Sequence, residues 1–133
     1  MATFRPKVAK CKYSFAIDGG AVSTITPSLT NSTIPVGAVI TDVKVNVTTT
    51  VTGGGGATIA LTAGGVTIKA AETIANCVYN GTGLVDVIRA GNAGSTGTAK
   101  YIPIVATAAA PIKVVVATAA LTAGIFEVFV TYY

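Results

Sequence analysis

The side chains that could perform chemistry are few and widely spaced in this chain of 133 residues. There is no histidine, so the commonest general base and the usual zinc ligand are both missing. The carboxylates lie more than ten residues apart, at Asp18, Asp42, Glu72, Asp86 and Glu127. A catalytic carboxylate pair would have to be assembled by folding. We therefore expect no enzyme, no cofactor and no metal site.

The cysteines and the glycine run offer equally little. Cys11 and Cys77 could form at most one disulfide, and no secretory apolar segment follows the charged N-terminus, so we expect cytoplasmic synthesis and free thiols. The run 53–56 lacks the Lys-Ser/Thr pair and the helix of a phosphate-binding loop, and it predicts a turn. No stretch of about 20 apolar residues is present, so we expect no membrane span.

Positive charge is concentrated at the N-terminus. Arg5, Lys7, Lys10 and Lys12 have no acidic neighbour, whereas the rest of the chain is balanced and the formal net charge is +4. This asymmetry indicates a segment that meets an acidic partner, or alternatively a solvated, frayed terminus. The four charges have no interleaved aromatic residues and no basic groove behind them, which weighs against nucleic-acid binding.

Residues that favour β-strands dominate the composition, with 18 Val, 12 Ile and 21 Thr against 4 Leu. Alternation of apolar and polar residues predicts strands over 10–17, 21–26, 39–51, 57–61, 66–70, 84–89, 101–107, 112–119 and 125–133. Short strands separated by regular turn signals predict an all-β fold, an antiparallel β-sandwich of jelly-roll type. We assign an extended basic N-terminal arm to residues 1–9 and a single β-sandwich domain to residues 10–133.

The same pattern predicts the core and the connections. The core-facing or core-bordering residues are Val39, Val43, Val45, Val47, Ile59, Leu61, Phe126, Val128 and Val130, and Ile40 is placed on the opposite, wet face. Glycines at 53–56 and 64–65 predict a three-stranded meander, and 120–124 predicts a hairpin between the last two strands. A short helix is predicted within 71–81, and an exposed loop at 90–98.

Two interaction surfaces are predicted. Lys10 and Lys12 fall on an edge strand, where they either protect that edge or direct it toward an acidic surface. The chain combines little charge with a large apolar fraction and ends in Phe129, Tyr132 and Tyr133, residue types suited to interfaces. We expect these three residues to form a homo-oligomer interface, with a trimer favoured.

The segment 28–70 resembles a pattern found in virion structural proteins of tailed bacteriophages. Its core is formed by Ile34, Pro35, Gly37, Ala38, Val39, Ile40, Asp42 and Val43, followed by a Val/Thr strand and a Gly-rich turn. In that group the pattern is similar to small β-sandwich capsid decoration, or cement, proteins, which assemble as oligomers on the outside of the head.

The resemblance implies a non-enzymatic virion protein on the capsid exterior that bridges subunits of the major capsid protein. Arg5, Lys7, Lys10 and Lys12 would then be the capsid-binding residues. The alternative is a head-fibre or tail-associated protein in which loops such as 90–98 bind a host receptor.

Overall fold

The computed structural model describes residues 5–29, 31–74, 79, 81–86 and 104–133. Over these ranges the chain forms eleven β-strands and one helical turn. In chain order they are β1 (Lys7–Ser14), α1 (Phe15–Asp18), β2 (Ser23–Ile25), β3 (Thr33–Ile34), β4 (Val39–Gly53), β5 (Thr58–Ala63), β6 (Val66–Thr73), β7 (Gly83–Asp86), β8 (Ile104–Val105), β9 (Ala110–Pro111), β10 (Lys113–Ala117) and β11 (Leu121–Tyr132). Within the described ranges, no helix is long and apolar enough to cross a membrane.

Two antiparallel sheets pack against each other. The first sheet has the strand order β1-β11-β4-β7, with β8 also paired to β4, and the second has the order β2-β10-β5-β6. Strands β3 and β9 form a separate two-stranded ribbon. Every strand pair is antiparallel. The predicted all-β, antiparallel sandwich is confirmed.

The core lies between the two sheets and is filled by inward-facing apolar side chains from both. The predicted core residues that are fully buried are Val43, Val45, Val47, Ile59, Leu61, Phe126, Val128 and Val130. Aromatic rings fill the space at one end, where the ring centroids of Tyr13 and Tyr79 each lie 5.0 Å from that of Phe126. Because each strand contributes alternate residues, the opposite faces of both sheets are left for solvent or partners.

The start of β4 departs from the predicted alternation. Ile40, predicted on the wet face, is fully buried, and Val39 is only half-buried. Tyr132 of β11 pairs with Ile40 and Thr131 pairs with Asp42, so Thr41 is an extra residue in a β-bulge. In the part of the strand that precedes the bulge, one extra residue reverses which side chains face the core and which face outward.

The predicted meander is correct only in its second half. Strands β5 and β6 form a hairpin closed by Gly64 and Gly65, whose φ angles of 57° and 78° fit a type I′ turn. Strands β4 and β5 belong to different sheets, so the glycine run at 53–56 carries the chain from one sheet to the other.

The predicted hairpin at 120–124 is wrong, because β10 and β11 also belong to different sheets. Residues Leu121 and Ala123 already pair with β4. Gly124 is required there by close approach rather than by a turn, since a Cβ at this position would lie 2.8 Å from Cγ2 of Val51.

Strand β1 is shifted toward the N-terminus relative to the predicted strand. Residues Lys7–Ala9, assigned to the arm, pair with Val130–Tyr132 of β11, and Ala9 is buried. After Ser14 the chain turns through α1, so Ile17 is 57% exposed instead of facing the core. Asp18 holds this turn, because its carboxylate accepts hydrogen bonds from the backbone N–H groups of Ser14 (3.2 Å) and Ser28 (3.0 Å).

The predictions for the middle of the chain are tested only in part. Residues 71–73 belong to β6, so a helix beginning at 71 is wrong there. The strand predicted from Leu84 is confirmed as far as Asp86. The remainder of the predicted helix, apart from Ile74, Tyr79 and Gly81, and all of the 90–98 loop lie outside the described residues.

Lys69 is the single buried charged residue in the described ranges. A register shift in β6 places Ile68 and Lys69 consecutively on the inner side. The Lys69 Nζ lies 3.3 Å from Oε1 of Glu72 and 5.8 Å from the ring centroid of Tyr79. The ion pair and the ring face compensate for removing the ammonium from water.

We expect Lys69→Met to lower the free energy of unfolding by about 3 kcal/mol, because Glu72 would lose the cation that balances it. The double variant Lys69→Met/Glu72→Gln should recover most of this loss. Urea unfolding of the two single variants and the double variant checks the coupling. Additive effects of the two substitutions would contradict the assigned ion pair.

Val45→Asp should unfold the domain, since it buries an unpaired carboxylate at the centre of the first sheet and costs more than about 4 kcal/mol. The neighbouring Asn46→Asp is the matched control, because Asn46 faces outward and its substitution should change stability by about 0.5 kcal/mol or less. Circular dichroism and thermal melting compare the two variants. A cooperatively melting Val45→Asp protein of wild-type stability would refute the face assignment.

Candidate interaction surface

The outer face of the first sheet gathers much of the charge in the described chain. We call this surface, formed around Lys10, Lys12, Lys44, Glu127 and Phe129, the charged face. Strand register creates it, because Lys10 pairs with Phe129, and Phe129 pairs with Lys44 on the other side of β11. One rung further along, Lys12 pairs with Glu127. All of these side chains alternate with buried ones and therefore point away from the core.

The basic side chains on the charged face differ in how they are neutralised. The Lys10 Nζ lies 2.8 Å from Oε2 of Glu127 and 5.6 Å from the ring centroid of Phe129. Lys44 forms an ion pair with Asp42. Lys12 is half-buried and makes no hydrogen bond or ion pair with any residue that the structure describes. Lys12 is therefore available to an acidic partner.

The predicted capsid-binding residues are only partly brought together. Lys10 and Lys12 share the charged face, whereas Lys7 follows the opposite alternation and pairs with Tyr132 at the start of β1. The side chains of Arg5 and Lys7 are exposed, and neither side chain forms a hydrogen bond or ion pair with another described residue. Basic side chains are therefore distributed from Arg5 along β1 to the charged face.

The three predicted interface aromatics do not form one patch. Phe129 is half-buried beside Lys10, while Tyr132 packs against the core. Tyr133 is 47% exposed, and its backbone N–H and C=O both pair with Val39. The spacing of three residues between Phe129 and Tyr132 already places them on opposite faces of a regular strand. The oligomer interface itself stays a prediction.

The outer face of the second sheet has a different chemistry. The cross-strand pairs on this face consist mainly of Thr, Val and Ala. Val115, for example, pairs with Thr24 on one side and with Ala60 on the other. The only charge on the strand at its centre, β10, is Lys113, which pairs with Thr62. A shallow depression at one end of this face is lined by Thr24, Thr62, Lys113 and Val115, among others. Charge therefore distinguishes the two outer faces of the sandwich.

Strand β1 forms an edge of the first sheet, as predicted for Lys10 and Lys12. Its C-terminal half is covered by an isolated bridge between Cys11 and Asn31. The Asn31 side chain is anchored to the second sheet's side of the molecule, because its Nδ2 donates to the C=O of Ile112 (2.9 Å) and its Oδ1 accepts from the N–H of Ile112 (3.1 Å). The N-terminal half of β1 has no such cover among the described residues.

Cys11 is unsuited to thiol chemistry. It is unbridged and fully buried, and burial, aided by the nearby charge of Asp18, raises the pKa of its thiol to about 12. The thiolate, which is the reactive form, is therefore suppressed. The described residues contain no cluster of three or more His, Cys, Asp or Glu that could hold a metal ion.

The comparisons with known proteins bear on the fold alone. No family model matches the chain, and no curated protein matches it. A chain in the capsid asymmetric unit of the cyanophage Pam1 has a similar structure, with a TM-score of 0.52 and 22% sequence identity. The similarity covers 96% of the present chain and 84% of the cyanophage chain. At this level of identity the similarity concerns the fold alone.

Two buried side chains in the C-terminal half of β1, Cys11 and Tyr13, predict alkaline unfolding. Burial and the charge of Asp18 raise the pKa of Tyr13 from 10.0 to about 12, as they raise that of Cys11 from 9.0. Both groups are held neutral in the fold, so their stabilisation is complete below about pH 9 and is lost as the pH rises toward 12. The urea concentration at the midpoint of unfolding should fall across this pH range, and it should fall less steeply for Cys11→Ala than for the wild-type protein. Equal pH dependence in the two proteins would contradict the assignment.

Proposed function

We propose that this protein is a non-enzymatic structural component of a phage virion, attached to the outside of the head through the major capsid protein. The observation that carries the proposal is the structural similarity, over nearly the whole chain, to a chain of a cyanophage capsid asymmetric unit. The sequence motif in 28–70 points to the same class of protein. The charged face and the basic N-terminus supply the contact with an acidic capsid surface.

Mass action explains how such a protein stabilises a shell. A protein that binds the assembled capsid but not its separated subunits stabilises the assembly by its binding free energy. A rigid sandwich that bridges two neighbouring subunits couples them directly. A packed core between two antiparallel sheets suits such a bridging role.

Oligomerisation multiplies weak contacts. Each exposed ion pair formed by Arg5, Lys7 or Lys12 is worth about 1 kcal/mol or less. Association into a trimer, with the exposed Tyr133 at or near the contact, would present three charged faces at once. Linked contacts of this kind bind far more tightly than any single one.

Neutralising the unpaired basic residues should weaken attachment. The triple variant Arg5→Gln/Lys7→Gln/Lys12→Gln should fold normally but need about tenfold more protein to half-saturate heads that lack the wild-type chain. Raising the salt concentration should weaken wild-type binding toward the same level. Lys113→Gln, on the second sheet, is the matched control and should bind like wild type.

Cosedimentation with purified heads measures both effects. Deletion of residues 2–6 is the companion variant, because it removes Arg5 without shortening β1. Undiminished binding of the triple variant at low and high salt would overturn the role of the basic residues. A protein found in a few copies at one vertex, rather than over the whole head, would support the fibre or tail role instead.

A further inference from the structure

The N-terminal half of β1, which we call the open half, is a backbone edge that no described residue pairs with. The backbone C=O of Lys10 accepts a hydrogen bond from the N–H of Ser32 at 3.4 Å, so it points away from β11. In an antiparallel ladder the outward direction recurs at every second residue. The N–H and C=O of Val8 and the N–H of Lys10 therefore also point outward. No backbone group among the described residues pairs with them.

Other backbone groups of the same edge have partners. Ser32 covers the C=O of Lys10, and the carboxylate of Asp18 accepts the outward N–H of Ser14. The open stretch extends only from Val8 to the N–H of Lys10, and it is bounded by Pro6, which has no N–H to donate.

The side chains of the open stretch combine charge with exposed apolar surface. Lysine and proline on an edge discourage pairing with an uncharged strand, but a strand of opposite charge is attracted to the lysines. Here Val8 is 61% exposed on the same side as Lys10 and Lys12, and the register with β11 is unbroken from Lys7 to Ser14. An exposed, regular, β-branched edge followed by two outward lysines is suited to receive a strand.

We propose that the open half of β1 accepts an extended segment of an acidic partner protein as an additional strand of the first sheet. Main-chain hydrogen bonds to Val8 and Lys10 hold the segment. Acidic side chains at two alternate positions of the segment lie on the charged face opposite Val8 and Lys10, and from there they reach Lys10 and Lys12 along the diagonal. This inference rests on the proposed function, and it specifies the chemistry of the capsid segment that binds there.

A second copy of this chain does not supply the required segment. Its five carboxylates are all more than ten residues apart, so no stretch of it carries acidic residues at alternate positions. Charge complementarity therefore selects a different protein as the occupant.

A peptide pair tests the spacing. The probe is the capped peptide Thr-Val-Glu-Val-Glu-Val-Thr, and the control, Thr-Val-Val-Glu-Glu-Val-Thr, has the same composition with adjacent glutamates. We expect the probe to bind at least tenfold more tightly and to slow hydrogen exchange at the amides of Val8 and Lys10 at least tenfold, measured by NMR. Equal affinity for both peptides, or unchanged exchange at these amides, would overturn the proposal. Protection that depends on protein concentration without peptide would identify a second copy as the occupant and would also overturn it.

Val8→Pro tests the backbone contact, because it removes an N–H that does not serve β11. It should abolish peptide binding, while Val8→Thr, the matched control, should retain it. The charge-reversed variant Lys10→Glu/Lys12→Glu tests the same surface without proline and should prefer Thr-Val-Lys-Val-Lys-Val-Thr. Peptide binding that is unaffected by Val8→Pro, or a charge-reversed variant that still prefers the glutamate probe, would overturn strand addition.

Head binding separates this inference from the proposed function. If Val8→Pro and Val8→Thr bind heads equally, strand addition is overturned while capsid attachment stands. If the wild-type chain binds the peptide but not heads, capsid attachment fails and the edge site remains.

Discussion

The pairing of β11 with both of its neighbours is the constraint on which the rest of the structure depends. β11 runs between β1 and β4, and each of its residues from Ile125 to Thr131 has a partner in at least one of them. Phe126, Val128 and Val130 point inward from this strand and are fully buried. A slip of one residue would expose all three and bury Glu127 and Phe129 in their place. The register that fills the core is thus the same register that builds the charged face.

This coupling explains what could be predicted from the sequence. Alternation of apolar and polar residues in β4, β5 and β11 shows which side chains face the core, so the core around Val45 and Val128 was predictable. The placement of Lys10 and Lys12 on an edge strand was predictable as well. The proximity of Lys10 to Phe129 was not predictable, because alternation within a strand does not reveal which residue of another strand lies opposite. That Phe129 and Tyr132 lie on opposite faces of β11, by contrast, was predictable from their spacing of three residues.

The errors have two physical causes. β-Bulges at Thr41 and in β6 add a residue without any distinctive sequence. The first turns Ile40 inward, against its predicted face, and the second places Lys69 inward next to Ile68. Glycine-rich turns allow a tight return within one sheet as readily as a crossing between sheets. Gly64 and Gly65 return the chain within one sheet, whereas the run at 53–56 carries it from one sheet to the other. Only the packing of the completed sandwich distinguishes these two cases.

Charge is unevenly distributed over the described surface of the sandwich. The first sheet presents Lys10, Lys12 and an edge that no described residue covers, whereas the second presents mainly Thr, Val and Ala, with Lys113 as the charge on β10. The measurement that tests the account most directly is a cryo-EM reconstruction of the virion at a resolution that traces β1. The account predicts many copies of the sandwich on the outer head surface, with β1 and the charged face toward the major capsid protein. Copies confined to the tail, or copies whose second sheet faces the shell while β1 points to solvent, would contradict it.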